Sequence, residues 1–341
     1  MARKKKGDKV DGWINLHKPV GITSTQALTV VKRALNAQKA GHAGTLDPLA
    51  SGILPIALGE ATKTVPYVQD SIKTYNFTVT WGGQRSTDDA EGESIATSDK
   101  RPSREDIESL LPAFHGDIEQ IPPQFSAIKV DGNRAYDLAR DGEQVELKPR
   151  QVYIESLEIV DTPLTQTLSH GERALTANPS LPPGDGRGEG RHDQTTFRCV
   201  CGKGTYVRSL ARDMGLKLGC FGYISALERA AVGPFTLENA ISLDIFQQND
   251  DKPTPEQVLL PLQTALDDIP VLALREQEAS RLKNGNVLAF LSKPDLERMS
   301  QAGIEWGNGN LVTALTTFDK KAIAIVEIEG PELHPIRIFN V

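Results

Sequence analysis

The sequence predicts a two-domain protein, with helices and strands mixed in a larger domain and a small β-rich unit at the end. The chain has 341 residues, which is long for one compact domain. Up to about residue 246, alternating apolar stretches are interspersed with stretches of helical spacing. From residue 264 onward, strand candidates follow one another without a repeat of fixed period, which indicates an appended domain rather than a duplicate.

A strand and a helix come first. Residues 12–21 begin as a short strand and end in a Pro-x-Gly turn. Ser24 is predicted to cap the helix that follows, because apolar residues recur at helical spacing between Ala27 and Leu35.

A loop rich in small residues, 42–52, follows this helix. Gly44 and Gly52 let the backbone turn sharply and approach a ligand closely, and Asp47 is its one plausible nucleophile. The same pattern also suits a helix start, with Asp47 as the N-cap and Pro48 at the first helical position. The loop alone leaves both interpretations open.

The clearest strand is 73–82, after an apolar run at 53–58 and a short helix at 62–69 that carries Lys63. Tyr75 shares a face of this strand with Phe77, so it either packs in the core or stacks on a flat ring. The acids of the next loop, 82–92, are interpreted as solvated turn formers.

The middle of the chain is more irregular. Ser103 and Asp106 form a capping-box pattern that opens a helix ending near His115. A helix is predicted at 135–140 and a strand at 152–160, whereas residues 163–194 have the composition of a disordered surface insertion.

A second strand–helix pair follows the insertion. The strand covers 196–201, and the helix starts at Thr205 and stops at Gly219. Arg208 lies in its first turn and Arg212 one turn later. A cation there opposes the helix dipole, which pairing with a carboxylate would explain.

The end of the chain contains the domain boundary and four strand candidates. Residues 247–255 are polar and contain prolines, which is typical of a linker. Beyond residue 264 the strand candidates are 287–290, 311–316, 322–328 and 335–339.

Charge is unevenly distributed. The formal net charge is −7, yet bases outnumber acids in residues 1–47 and 197–217, and acids outnumber bases in 82–120. A polyanion could bind the basic face, although lysines and arginines that only solvate helices would give the same pattern.

Composition also limits the compartment and the chemistry. Without a membrane-length apolar run or a signal-peptide pattern, we expect a cytoplasmic protein. Cys199, Cys201 and Cys220 are expected to be buried, reduced thiols, with metal binding by the Cys-x-Cys pair as the less favoured alternative.

Four motifs occur in one order along the chain: Leu16-His17-Lys18-Pro19-Val20-Gly21, His42-Ala43-Gly44-Thr45-Leu46-Asp47-Pro48, Lys73-Thr74-Tyr75, and Lys203-Gly204-Thr205-Tyr206-Val207-Arg208 followed by Ala226-Leu227-Glu228-Arg229. In these motifs the sequence resembles the bacterial tRNA pseudouridine synthase B family. The resemblance implies an α+β catalytic domain at 12–246, built on a mixed, largely antiparallel central sheet. A basic flexible terminus (1–11), a linker (247–263) and a small β-rich PUA-like domain (264–341) would complete the chain.

The resemblance also implies a reaction and the residues that perform it. Uridine 55 in the T loop of tRNA would be flipped out and isomerised to pseudouridine by a monomeric, cytoplasmic enzyme that needs no cofactor or metal. Asp47 would be the essential aspartate, Tyr75 would stack on the base and act on the proton of the reacting carbon, and Arg208 would pair with Asp47. The remaining implied residues are Leu227 in the pocket, His42 against the flipped nucleotides, and Lys18 and Lys63 supporting the site or the RNA backbone.

Two other function classes stay open at this point. A non-catalytic RNA-binding or tRNA-folding protein would use the same loop only to shape its surface, and a folding role could also accompany catalysis. A nucleoside or glycoside hydrolase would need a second carboxylate beside Asp47, for which Asp89 is the candidate.

Overall fold

A computed structural model of the chain describes residues 7–126, 129–130, 133–134, 147–161, 192–248, 252–305 and 309–340. Seven α-helices lie in these ranges: α1 Ser24–Ala34, α2 Val65–Asp70, α3 Arg104–Leu110, α4 Val207–Leu218, α5 Pro255–Val258, α6 Glu276–Lys283 and α7 Lys293–Gln301. Short 3₁₀ turns supplement them at Gly59–Lys63, Leu111–Phe114, Leu237–Asn239, Leu243–Phe246 and Leu262–Leu266.

A mixed sheet of ten strands forms the centre of the larger domain. Its strands are β1 Gly12–Lys18, β2 Ala40–His42, β3 Ser51–Leu58, β4 Lys73–Trp81, β7 Gly116–Gln120, β10 Arg150–Ile159, β11 Gln194–Cys201, β12 Gly222–Val232, β13 Phe235–Thr236 and β14 Ile241–Ser242. Two small hairpins are separate from this sheet, β5 Gly83–Arg85 with β6 Ser94–Thr97, and β8 Lys129–Val130 with β9 Asn133–Arg134.

The sheet has the order β14-β1-β3-β12-β4-β11-β10-β7, with β2 paired to β3 and β13 to β12. The pairs β1–β14 and β3–β12 are parallel, and the other pairs are antiparallel. The predicted mixed, largely antiparallel sheet is confirmed. Strand β12 lies between β3, which follows the loop of Asp47, and β4, which carries Tyr75.

A second, five-stranded sheet forms the small domain. Its order is β15-β17-β18-β19-β16, with β15 Val271–Ala273, β16 Leu288–Ala289, β17 Val312–Phe318, β18 Lys321–Glu329 and β19 Glu332–Ile338. Helices α6 and α7 accompany it. The expected β-rich unit is therefore present, and all four strand candidates overlap observed strands.

One of the buried apolar clusters contains residues of both domains. Trp13 and Phe235 of the large domain belong to the same buried cluster as Leu315, Ile325 and Phe339 of the small one. The backbone N–H of Trp13 donates to the Leu260 carbonyl at 2.9 Å, and the Leu260 N–H donates back to Trp13 at 2.7 Å. Residues that the sequence assigns to a linker thus pair with the first strand of the large domain.

Several local predictions differ from the structure at helix ends. Thr23, not Ser24, caps α1, because the Thr23 side chain accepts from the Gln26 N–H in a capping box. Helix α4 starts at Val207 rather than Thr205, whose hydroxyl donates to the Gly202 carbonyl instead. The helix predicted at 62–69 is divided: Lys63 ends a 3₁₀ turn, and α2 begins at Val65.

Other predictions are confirmed where the chain is described. The strands at 73–82, 152–160 and 196–201, the Ser103 capping box and the Gly219 helix stop are all present. The helix predicted at 135–140 lies outside the described residues, as does the expected insertion up to residue 191. Gln194, placed in that insertion, is the first residue of β11.

The cysteines and the helix lengths complete the description. Cys199, Cys201 and Cys220 are buried free thiols, as expected. Over the described ranges, no helix has the length and apolar character required to cross a membrane.

Candidate active site

The loop that carries Asp47 is a tight, clamped turn between β2 and β3. The Ser24 hydroxyl donates to the Leu46 carbonyl at 2.9 Å and accepts from the Leu46 N–H at 2.8 Å. The Gly21 N–H donates to the Pro48 carbonyl at 2.8 Å, and the Ala50 N–H to the Asp47 carbonyl at 3.1 Å. Residues 47–50 therefore form a turn, and the alternative of a helix capped by Asp47 is wrong. Ser24, misassigned as a cap, instead anchors the residue next to Asp47.

Arg208 meets Asp47 directly. Its Nη2 lies 2.9 Å from Asp47 Oδ2, and the arginine side chain is only 6% exposed, whereas the aspartate side chain is 36% exposed. The guanidinium also donates to the backbone carbonyls of Thr87 at 3.1 Å and Phe125 at 3.0 Å. A planar fork held at several points fixes the direction from which it meets a carboxylate. The pairing that would offset the unfavourable helix-dipole position of Arg208 is thus present.

A second carboxylate shares this arginine. Asp89 Oδ2 lies 3.4 Å from Arg208 Nη1, and Asp88 Oδ2 accepts from Arg212 Nη1 at 3.0 Å. Asp88 and Asp89 are 6% and 2% exposed. Their interpretation as solvated turn formers is wrong, because two arginines one helical turn apart draw both carboxylates into the protein.

Burial and charge oppose one another at Asp47. Burial raises the pKa of Asp47 and the nearby Asp89 raises it further, while Arg208, Lys18 and Arg229 favour the ionised form. The pKa of Asp47 is raised on balance, and the three cations offset part of the cost of burying the ionised carboxylate.

Lys18 is a structural neighbour of this carboxylate. Its ammonium is fully buried and donates to the carbonyls of Pro19 and Ile22, both at 2.8 Å. Burial lowers the pKa of Lys18 to about 8, against the opposing effect of Asp47. Lys18 therefore fixes the turn beside the Asp47 loop, and its ammonium is enclosed by protein.

Tyr75 lies on β4, directly across from Arg229 on β12 and from Cys199 on β11. Burial raises the pKa of Tyr75, and the charge of Arg229 opposes that rise. His42 ends β2, and burial followed by the charge of Arg229 lowers its pKa, which favours the neutral imidazole.

The other two residues implied by the resemblance lie apart from each other. Leu227 is buried across from Phe77 on the same strand pair as Arg229 and Tyr75. The Lys63 ammonium donates to Glu60 at 2.6 Å and to the Ile338 carbonyl at 2.7 Å. Lys63 thus joins the two domains through its ammonium.

Sequence reasoning named Asp89 only as a possible second carboxylate. It missed the pairing of Asp88 and Asp89 with the two arginines, and it missed Arg229. Adjacent aspartates facing an Arg-x-x-x-Arg helix are a usable signal, because residues four apart on a helix lie on the same side. Arg229 ends the last motif and had no role assigned. In the part of the chain that is described, no group of three His, Cys, Asp or Glu side chains is placed to hold a metal ion.

Known protein families and individual proteins match most of the chain. Residues 32–171 match the N-terminal domain of the TruB family of pseudouridylate synthases, and residues 208–267 match the C-terminal domain of tRNA pseudouridylate synthase B. Proteins named tRNA pseudouridine synthase B are similar over the full chain: one from Caulobacter vibrioides is 45% identical, with 99% of its own length covered, and one from Brucella anthropi is 46% identical, also with 99% covered.

Solved structures of low sequence identity share the fold. A Cbf5-Nop10-Gar1 complex matches at 23% identity with a TM-score of 0.64, over 97% of this chain and 84% of the other. An H/ACA RNP bound to a substrate RNA containing 2′-deoxyuridine matches at 21% identity with a TM-score of 0.65, over 100% of this chain and 92% of the other. Family match, full-length identity and fold agree: the chain belongs to the TruB family of pseudouridylate synthases.

Proposed function

We propose that this protein isomerises uridine to pseudouridine at position 55 in the T loop of tRNA, with Asp47 as the essential carboxylate. The observation that carries the proposal is the contact of 2.9 Å between Asp47 and a buried arginine at the partly open end of the Asp47 loop. The name of the full-length relatives, tRNA pseudouridine synthase B, supports tRNA as the substrate.

The reaction requires a carboxylate and no change of oxidation state. The bond between ribose C1′ and N1 of uracil breaks, the base rotates, and a new bond joins C1′ to C5, which loses its proton. Asp47 reacts in its ionised form. It attacks either C1′ or the base, or it removes a ribose proton. Arg208 holds one oxygen of Asp47 and leaves the side chain partly exposed for the reacting nucleotide.

The surrounding residues capture the base. A uridine in a folded loop must leave its stack before it can react, and an aromatic ring offers a replacement surface. Tyr75 stacks on the flipped base and acts on the proton at C5, Leu227 forms the apolar wall, and the neutral His42 contacts the neighbouring flipped nucleotides. Lys18 supports the site through the backbone that it holds.

The hydrolase alternative lacks an accessible second carboxylate at Asp89. A hydrolase of this kind needs two carboxyl groups that both reach the sugar. The Asp89 side chain is 3% exposed and lies against Arg208, so it cannot reach a nucleotide bound at Asp47. A role in tRNA folding remains compatible with catalysis, because opening and reforming the T loop needs binding without bond cleavage.

The test combines a conservative variant with a position-specific substrate. Transcripts of tRNA labelled with tritium at uracil C5 release the label when C5 forms its new bond. We expect wild type and Asp99→Asn, the same change at an exposed aspartate, to release label from one uridine per tRNA. Asp47→Asn is expected to bind the tRNA with similar affinity and to release none.

Each competing hypothesis has its own outcome. Full release by Asp47→Asn would contradict the role of the aspartate, and undiminished release from a transcript with cytidine at position 55 would contradict the position. Binding by wild type without label release would identify a non-catalytic RNA-binding protein. Free uracil as a product would restore the hydrolase hypothesis, and accelerated tRNA folding by Asp47→Asn would establish folding as a separate activity.

A further inference from the structure

Arg229 is a buried cation in the floor of the site. It is 2% exposed, and its Nε donates to the Ile53 carbonyl at 2.8 Å. Its terminal nitrogens donate to the carbonyls of the Asp47 loop, Nη2 to Gly44 at 3.0 Å and Nη1 to Thr45 at 3.5 Å. One guanidinium therefore binds three carbonyls on both sides of Asp47 in the sequence.

Carbonyl dipoles, rather than a carboxylate, compensate this charge. Within the described ranges, the ion pairs of the site use Arg208 and Arg212, and none includes Arg229. Burying a cation without a counter-ion is expensive, so such a group is kept only where its hydrogen bonds are well formed. The charge stays unneutralised at the centre of a cluster of titratable groups.

The backbone around Arg229 leaves no room for another arrangement. Gly52 pairs directly with Arg229 in the parallel β3–β12 ladder, and a Cβ on Gly52 would lie 2.3 Å from the Arg229 carbonyl oxygen. A Cβ on Gly44, where φ is +86°, would lie 3.2 Å from Arg229 Nη1. Both glycines of the loop thus permit the close approach of β12, which gives them a use beyond contact with a ligand.

Arg229 also reaches the aromatic side of the site. Tyr75 lies across from it on β4, and the charge of the guanidinium lowers the pKa of the phenol against the effect of burial. We infer that Arg229 is a positioning residue: it holds the loop of Asp47 by its carbonyls from the strand position directly opposite Tyr75, and so fixes the distance between carboxylate and ring. This inference rests on the proposed function, because it assigns Arg229 a part in that reaction.

The same charge acts on Asp47 through space. Arg229 lowers the pKa of Asp47, together with Arg208 and Lys18 and against burial and Asp89. Removing the charge therefore raises that pKa, so the acid limb of the pH–rate profile moves to higher pH. Lysine keeps the positive charge but lacks the planar, forked guanidinium. Comparing Arg229→Lys with Arg229→Gln therefore distinguishes the effect of geometry from that of charge.

The experiment compares Arg229→Gln and Arg229→Lys with a matched control, Arg298→Gln. Arg298 also donates to a backbone carbonyl, that of Ala273 at 3.0 Å, but it lies in the small domain, its side chain is 21% exposed, and it pairs with Glu278. Single-turnover label release, tRNA affinity and the pH–rate profile are measured for each, with thermal unfolding to confirm folding. We expect both Arg229 variants to bind tRNA normally and to react about 100-fold more slowly, the loss associated with a displacement of about 1 Å.

The pH profile distinguishes positioning from general support of the fold. We expect the acid limb of Arg229→Gln to lie at higher pH than that of wild type, with Arg229→Lys and Arg298→Gln unshifted. An Arg229→Lys variant as fast as wild type overturns the inference, whether or not Arg229→Gln folds. Slow variants whose loss lies entirely in tRNA affinity also overturn it. If the wild-type protein releases no label, the proposed function is contradicted instead. That result is obtained from wild type alone and does not depend on the variants.

Discussion

Asp88 should make the protein less stable as the pH rises through its titration range. Its carboxylate is almost fully buried and accepts from Arg212 at 3.0 Å. Burial nevertheless prevails, and it raises the pKa of Asp88 from 3.8 to about 6 despite Arg212 and Arg208. Ionised Asp88 is therefore worse accommodated in the folded protein than in the unfolded chain.

The sign and the size follow from linkage. A folded-state pKa above the unfolded one gives stability that is fully present below pH 3.8 and is lost as the pH rises to about 6. A gap of about two pH units, at about 1.4 kcal/mol for each, corresponds to about 3 kcal/mol in total. Roughly 2 kcal/mol of this falls between about pH 4.5 and pH 7.5, where unfolding can be measured conveniently.

Asp88→Asn isolates the effect. Asparagine has the same shape and tolerates the left-handed backbone found there, where φ is +61°. The free energy of unfolding is measured in urea at several pH values for wild type, Asp88→Asn and the exposed control Asp99→Asn. We expect Asp88→Asn to gain about 2 kcal/mol relative to wild type from about pH 4.5 to 7.5, and the control to gain little. A constant difference, or a gain by wild type as the pH rises, would show that Arg212 outweighs burial and would refute the reasoning.

Two further predictions concern the other cations. Arg208→Lys keeps the charge beside Asp47 but cannot hold it from several points, so we expect single-turnover label release to fall about 100-fold with unchanged tRNA affinity; an undiminished rate would mean that a point charge suffices. Lys63→Met removes the bonds to Glu60 and Ile338, so urea unfolding should show a loss of about 1–2 kcal/mol while label release is unchanged. Slower release at unchanged stability would instead return Lys63 to the RNA-facing role that the resemblance implies.

The family resemblance implied the pairing of Asp47 with Arg208, and the helix dipole indicated from the residues alone that Arg208 pairs with a carboxylate. Helix α4 could be recognised from its apolar stripe, and a cation at its start needed a partner. The partner at 2.9 Å is the aspartate of the glycine-rich loop. The burial of Asp88 and Asp89 could not be predicted in the same way, because local composition marks 82–92 as polar and only the tertiary position of α4 brings the two arginines to it.

The central strand β12 was missed for a different reason. Its sequence does not alternate, because register shifts against β4 occur between Ile224 and Ala226 and again between Arg229 and Ala231. Buried positions are therefore spaced by two and three residues. This mixture does not match the strict alternation expected of a strand, and it partly matches the spacing of a helix.

The first of those shifts is also what places the site. Gly222 and Ile224 face the core, so strict alternation would continue with Ala226 and Glu228 inward. The extra residue moves the inward positions to Leu227 and Arg229, opposite Phe77 and Tyr75. One irregularity thus turns Leu227 to the buried face and the Arg229 guanidinium toward the Asp47 loop, and it leaves Glu228 to face His17 at 3.9 Å instead of adding a fourth carboxylate to the cluster of Asp47, Asp88 and Asp89. The feature that hides β12 from sequence analysis is the one that brings Arg229 into the site.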